Sequence, residues 1–270
     1  MRWLLRQMKI CPNAYYNYKK DKKAEYRISK KRIQEKMLEL YHEYSGNPGY
    51  RMLRVYLLRA KISLSNTTVL KYMRELRIKS MVIPKRPPYK KGDCYKKFEN
   101  HLNREFHADR PNEKWCTDFT YILMSDGRKR YNCSIIDLFD RSVVATRNSS
   151  HIDAQLAVQT LDIALKRNRY PRELLLHSDQ GSQYTSQLFT EYCKEHGVKQ
   201  SMSRAGCPYD NSPMESFYGT FKAKFINRHR FSSEEELNNG TLDYVYVYDN
   251  HVRPHSSNGY MTPFEKRTQT

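Results

Sequence analysis

Three acids have residue types and spacing that could do chemistry together: Asp118, Asp179 and Glu215. Asp118 lies within KWCTDFTYI (114–122). Asp179 follows three leucines in LLLHSDQGSQY (174–184), an anion at the end of what reads as a buried strand. Glu215 lies in NSPMESFYGTFKAKF (211–225), near the start of a helix. Three hard oxygen donors suit Mg²⁺ or Mn²⁺ rather than zinc. Two such ions about 3.5–4 Å apart can stabilise both the attacking and the leaving oxygen of an in-line phosphoryl displacement. Each acid alone also has a structural reading. Asp118 can be a charge on an exposed strand face. Asp179 can stabilise the D-Q-G turn through its side chain. Glu215 stands three residues after Ser212, with Pro213 between, which is the spacing of a capping box.

Periodicity predicts the elements that must position these acids. In KWCTDFTYI, Trp115, Thr117, Phe119 and Tyr121 alternate with Cys116, Asp118, Thr120 and Ile122, the pattern of a strand. Asp126-Gly127 is a hairpin signal, and YNCSIIDLF (131–139) and RSVVATR (141–147) give two more strands. A helix with Ala154, Val158, Leu161 and Leu165 follows. Next come the leucine strand, a helix near 186–196, a short strand near 198–203 and a helix from Pro213. That order is a mixed sheet with helices, an α/β layer architecture. Acids on the first strand and at the end of the fourth converge at one sheet edge if those strands are neighbours. A helix packed there adds the third. Between Asp179 and Glu215 lie 35 residues. Lys222 follows Glu215 by seven, two helical turns along the same face, with Gly219, a weak helix former, between them.

Charge divides the chain differently. Its formal net charge is +19. Residues 1–110 hold 28 Lys and Arg against 10 Asp and Glu, whereas residues 111–270 hold 20 against 19. A basic front half joined to a near-neutral back half implies an arm that holds a polyanion and a body with another task. The arm reads as helical. A short helix starts near residue 2, a turn falls at Cys11-Pro12-Asn13, and a second helical start carries Tyr15 and Tyr16. Ile33, Met37, Leu40, Tyr41 and Tyr44 recur at helical spacing until SGNPG (45–49) stops them. A helix over about 51–60 carries Leu53, Tyr56 and Leu57, and Ser65 can N-cap another that reaches about Arg77. In that last helix Val69, Met73 and Leu76 share one face and Lys71, Arg74 and Arg77 another. Two short helices with a tight turn, the second basic, are similar to a helix-turn-helix, whose second helix lies in the major groove. A small bundle with a solvated basic face is the alternative. The expected organisation is a helical module over 1–80, a basic, Pro-containing linker over 81–113, a core over 114–230 and a helical extension over 231–270. Six scattered cysteines without a C-x-x-C pair argue against a disulfide framework or a structural zinc site. No apolar run of about 18 residues predicts a membrane span.

Four stretches together carry a family resemblance: ADRPNEKWCTDFTYI (108–122), LLLHSDQGSQYTS (174–186), SRAGCPYDNSPMESFYGTFKAKF (203–225) and NHVRPHSSNGYMTPFE (250–265). With their D-D-35-E spacing, the chain resembles the integrase-type transposases of bacterial insertion sequences. That family is named for insertion sequence three, and the likeness is to the product of its second reading frame. NPGYRMLRVYL (47–57) is similar to the family's integrase-associated helix-turn-helix segment. The resemblance covers nearly the whole chain. It implies a ribonuclease-H-like, mixed five-stranded sheet with flanking helices, preceded by a small all-α helix-turn-helix module. It implies Asp118, Asp179 and Glu215 as catalytic acids and metal ligands for two Mg²⁺ ions, with Mn²⁺ as a substitute. Lys222 would lie near the DNA end, and Lys71, Arg74, Arg77 and Arg253 are the other expected DNA contacts. His177 and Tyr184 are further site candidates, with a core histidine and a packed tyrosine as the competing roles.

The implied partners are double-stranded DNA (the element's terminal repeats and the target), the product of an upstream first reading frame, separate or fused by frameshift, and further copies of the chain on DNA. The implied location is the bacterial cytoplasm, at the nucleoid. The implied function is DNA transposition by strand cleavage and strand transfer. A nuclease without strand transfer and a decayed transposase acting only as a DNA-binding regulator are the alternatives. Three features depart from the family pattern: Asn258 where Leu is common, Asn238-Asn239-Gly240 within a helix, and a start inside what is usually a longer helical lead.

The charge distribution generates a first expectation. DNA binding by the full chain should fall steeply with salt, with a log–log slope of about −0.9 for each phosphate neutralised. A gel-shift titration across salt concentrations checks this, and a flat response would remove the polyanion reading of the front half.

Overall fold

The computed structural model describes residues 1–21, 23–80 and 98–269. They fall into two compact units, Met1–Met81 and Val82–Thr270. The first unit is all helix: α1 (Arg2–Gln7), α2 (Pro12–Lys19), α3 (Ala24–Glu43), α4 (Tyr50–Arg59) and α5 (Asn66–Glu75). Met37 and Leu40 of α3, Leu53, Tyr56 and Leu57 of α4, and Val69, Tyr72 and Met73 of α5 form its buried core. These are the helically spaced apolar residues, and Tyr44 stacks on Tyr56 at 4.3 Å between ring centres. Ser65 caps α5 by accepting from the Thr68 amide at 3.2 Å. The helix ends at Glu75, two residues short of the expected Arg77. Arg77 adopts a positive φ of 55°, and the Ile78 amide returns to the Met73 carbonyl at 3.0 Å, so a Schellman turn closes the helix. Lys71, Arg74 and Arg77 are all exposed.

The second unit is built on one sheet of β1 (Lys114–Leu123), β2 (Lys129–Asp137), β3 (Val143–Ser149), β4 (Leu175–Ser178) and β5 (Lys199–Met202). Its order is β3-β2-β1-β4-β5. The first three strands pair antiparallel; β4 is parallel to both β1 and β5. This is the ribonuclease-H-like mixed sheet. Alternation along each strand feeds two cores. Trp115, Ile135, Ala145 and Leu176 face α6 (Ala154–Arg167) and α7 (Gln187–Glu195). Cys116, Ile122 and Ile136 pack with α8 (Ser212–Lys224) and α9 (Glu234–Leu242), and with a π-helical segment, Asp243–Val252, that continues α9. A last helix, α10 (Pro263–Thr268), starts with a complete capping box between Thr262 and Glu265.

One expectation changes here. Residues 98–113 are not linker. Leu102 and Ala108 are buried, the Leu102 amide donates to Ser201 Oγ at 3.0 Å, and the Met202 amide donates to the Glu99 carbonyl at 3.2 Å. The segment covers the β5 side of the sheet with apolar residues too irregularly spaced to signal an element. The rest of the expected linker, including KRPPYKK, lies outside the described residues. Asn238-Asn239-Gly240, one of the departures from the family pattern, lies within α9 as expected. A Cβ at Gly240 would stand 2.9 Å from the Phe225 ring, so the glycine permits close helix packing there. Asn258 is also accounted for: it is buried and donates to the Asp140 carbonyl at 2.6 Å.

Asp210 ties the covering segment to the loop before α8. Its fully buried carboxylate accepts from Asn100 Nδ2 at 3.0 Å, Arg104 Nε at 2.6 Å, and the Arg204 amide and Nε at 3.0 Å each. The Arg204 side chain, more than any other group, holds this carboxyl far below the usual carboxylate range. A depressed folded value contributes stability above the unfolded value of about 3.9, and that stability is lost as pH falls below it. Asp210→Asn is therefore expected to cost about 2 kcal/mol at pH 7. The difference from wild type should shrink below about pH 4. Urea unfolding at several pH values measures both, and a difference independent of pH would assign the loss to packing.

Candidate active site

Strand register brings the two aspartates together. In the parallel β1–β4 pair, Cys116 is opposite His177. Two residues further on, Asp118 continues β1 while Asp179 leaves the end of β4. The chain turns there because Asp179 Oδ1 accepts from the Gly181 amide at 2.9 Å. A Cβ on Gly181 would stand 2.9 Å from that same oxygen, so only glycine leaves the carboxylate where it is. The turn reading of Asp179 is therefore true, and it fixes the acid's place. Asp118 Oδ1 accepts from the Phe119 amide at 2.7 Å.

Glu215 comes from the first turn of α8 and is exposed. The expected capping box with Ser212 is absent. Ser212 is already the first helical residue, Asn211 is the N-cap, and no side chain makes the cap hydrogen bond. The helix begins one residue too early for Glu215 to reach back. Asp118, Asp179 and Glu215 line one cavity of about 290 Å³, together with Gln180, Ser203 and Asn211.

Two anchors hold α8 to β1, and sequence reading found neither. The Tyr218 hydroxyl, one turn beyond Glu215, stands 2.7 Å from the Asp118 carbonyl oxygen. Asn211 Nδ2 donates to the Thr117 carbonyl at 3.2 Å. Tyr218 also lies 3.2 Å from Asn132 Oδ1, and Ser134 Oγ donates to that oxygen at 2.7 Å. Ser134 is the register partner of Asp118 and Asn132 that of Thr120, so both face α8. Polar residues on the inward phase of YNCSIID were the available signal.

Electrostatics bind the acids into one unit. Burial pushes the Asp118 carboxyl up to about 7, Asp179 and then Glu215 add like-charge repulsion, and Lys222 opposes them. α8 runs unbroken through Gly219, so Lys222 does stand two turns from Glu215. Its ammonium lies 4.3 Å from the centre of the Tyr121 ring. The other candidates are placed elsewhere. His177 is buried between Ser201 Oγ at 2.9 Å and Ser203 Oγ at 3.1 Å, and burial lowers it to about 4, so it is a neutral tie from β4 to β5. Tyr184 is buried among Phe119 and Phe189, with its hydroxyl 3.0 Å from Thr117 Oγ1. Arg253 is paired with the buried Asp249 at 2.7 Å and lines a different cavity with Arg141 and Ser216. Lys71, Arg74 and Arg77 belong to the first unit. Among the described residues, no three His, Cys, Asp or Glu side chains close around a single metal position. The donor set nonetheless fits a divalent cation: three carboxylates, hard oxygens only, line one cavity.

The sheet order and the acid cavity define an integrase core of the ribonuclease-H-like class. The sequence matches the integrase core domain family over residues 108–208 and a second integrase core domain family over 196–263. It is 36% identical over 269 residues to the InsK protein of insertion sequence element IS150 from Escherichia coli K12, covering 99% of this chain and 93% of that one. It is 32% identical over 252 residues to the transposase of insertion sequence element IS904 from Lactococcus lactis IL1403, covering 88% and 95%. Over 165 residues it is 37% identical to the transposase InsF of insertion sequence IS3A from Escherichia coli K12, covering 61% and 57%. The chain belongs to the IS3 family of insertion-sequence transposases. It is a DNA transposase, a polynucleotidyl transferase of a family that generally uses divalent metal ions. Among the described residues, no helix is long and apolar enough to cross a membrane.

The anchoring of α8 generates the next expectation. Tyr218→Phe removes one hydrogen bond to a buried carbonyl and should cost about 1 to 2 kcal/mol. By loosening the helix that carries Glu215, it should slow end cleavage by up to about a hundredfold. Urea midpoints and cleavage of a labelled element end measure the two effects. Unchanged cleavage would mean that α8 is positioned by other contacts.

Proposed function

We propose that Asp118, Asp179 and Glu215 are the catalytic acids and the ligands of two Mg²⁺ ions, for which Mn²⁺ can substitute. One observation carries this reading: carboxylates from β1, from the end of β4 and from α8 line a single cavity, where burial first, and then repulsion from Asp179 and Glu215, raises Asp118. Such crowding is costly without compensating positive charge. The bound ions would supply Lewis-acid stabilisation of the attacking and leaving oxygens. The chain's own residues position. Asp118 within β1 and Asp179 just past the end of β4 hold one side of the cavity, and Glu215 closes it from α8. Lys222, about 10.5 Å along the helix axis from Glu215, would hold a backbone phosphate near the reacting end. Strand cleavage at the element's ends and attack by the freed 3′ hydroxyl on target DNA would share this one cavity. The basic first unit, with Lys71, Arg74 and Arg77 exposed, would grip the terminal repeats. Pairing of two ends calls for more than one copy on DNA, and the product of an upstream reading frame would add end recognition. The site of action would be the bacterial nucleoid.

Asp118→Asn, Asp179→Asn and Glu215→Gln should each lose at least about a hundredfold in cleavage and joining. DNA binding and thermal unfolding should stay near wild type. Full activity in Glu215→Gln would remove that residue from the set.

A further inference from the structure

α8 lines two cavities of opposite character. Glu215 belongs to the acid cavity, whereas the next residue, Ser216, lines another of about 300 Å³. Arg141, Arg253, His255, Ser256 and Ser257 line this second cavity too, and among the described residues no carboxylate does. Its cations are only partly committed. Arg253 Nη1 donates to Asp249 Oδ1 at 2.7 Å and to His255 Nε2 at 2.8 Å. Arg141 Nη2 donates to the Phe106 carbonyl at 2.7 Å. Among the described residues, Nε and Nη2 of Arg253 and Nε and Nη1 of Arg141 make no hydrogen bond, and none of these four atoms is shut away from solvent. Arginine only donates, so His255 Nε2 accepts and the ring proton sits on Nδ1, a further open donor. Ser216, Ser256 and Ser257 are exposed and add hydroxyls.

A wall of charged donors suits an oxyanion, which accepts charge-assisted hydrogen bonds from several sides. The positive charge also continues past the cavity. Lys224 stands eight residues after Ser216, about 12 Å further along α8, and Arg228 follows it. Burial first, and then repulsion from Arg228 and Arg253, pushes Lys224 down to about 8. Cations that repel one another along such a track favour a chain of anions over a single ion. A DNA strand is that chain, with one phosphate for about every 3.4 Å of helix axis. We propose that this cavity binds a backbone phosphate of DNA, at a place separate from the acids. The proposal rests on DNA as the substrate and not on the reading of the acids as cation ligands.

The test uses the full chain and a duplex carrying an element end, without divalent cations so that no strand is cut. Ser257→Glu sets a carboxylate in the cavity mouth, and Ser257→Gln is its uncharged control of similar size. Arg141→Gln removes one guanidinium. DNA affinity is measured across salt concentrations. Ser257→Glu and Arg141→Gln should each make the log–log slope shallower by about 0.9, the loss of one neutralised phosphate, while Ser257→Gln keeps the wild-type slope. Thermal unfolding is run on all three, and the Ser257 pair carries the test if Arg141→Gln fails to fold. A photoreactive benzophenone side chain at position 257 should cross-link to the labelled duplex. Ser257→Glu with the slope of Ser257→Gln, or no cross-link at position 257, would overturn the proposal. A second arm separates the sources of phosphate. Inorganic phosphate is compared with chloride at equal ionic strength. A thermal midpoint raised by phosphate in wild type but not in Ser257→Glu, together with an unchanged DNA slope, would mark a site for a small free anion and overturn the DNA assignment. The two levels stay distinct. A steep wild-type slope that Ser257→Glu leaves untouched removes only this cavity, whereas a flat wild-type slope removes the polyanion reading of the chain.

Discussion

The contact between the Tyr218 hydroxyl and the Asp118 carbonyl is the constraint on which the site depends. Strand pairing alone places Asp118 beside Asp179, because register is fixed by which face of β1 is buried. Nothing in the sheet places a helix. Tyr218 does so by using the backbone of the very residue whose side chain faces the cavity. Asn211 adds a second tie to the preceding carbonyl, that of Thr117. Two successive residues of one strand thus set both the position and the start of α8. The third acid is carried on a helix that these two hydrogen bonds hold to β1.

Electrostatic design follows from that geometry. Burial raises the Asp118 carboxyl first and repulsion from Asp179 and then Glu215 adds to it, while the Phe119 amide and Lys222 act the other way. Elsewhere in the same unit, buried acids are neutralised within the protein. Asp210 is met by Arg104 and Arg204, Asp249 by Arg253, and Asp137 and Asp140 by Arg267. The cavity instead gathers three acids on one wall.

Much of this was legible in the sequence. Alternation in KWCTDFTYI, the hairpin signal at Asp126-Gly127 and the leucine run gave the strands, and the 35-residue spacing picked out the acids. What escaped had no period. Leu102, Phe106 and Ala108 cover the sheet from an irregular segment, so they read as linker. Tyr218 and Asn132 act through single hydrogen bonds across 86 residues, which no local pattern records. Spacing offered a capping box at Ser212 and Glu215 as the structural alternative for that acid; it is absent because α8 starts at Ser212, one residue too early. Arg253 was expected as a DNA contact; the structure pairs it with Asp249, one helical turn away in a segment whose π-helical path the sequence does not announce.

The pairing of Arg267 with Asp137 and Asp140 has a consequence for the corner between β2 and β3. The two carboxylates sit at the β2–β3 connection and are fully buried in the finished fold. Their cation is 127 to 130 residues further along the chain. Within the β2–β3 connection itself, Arg141 is the nearby cation. Arg267 adds the direct ion pairs, so one side chain of the last helix closes the corner between two strands made far earlier in the chain.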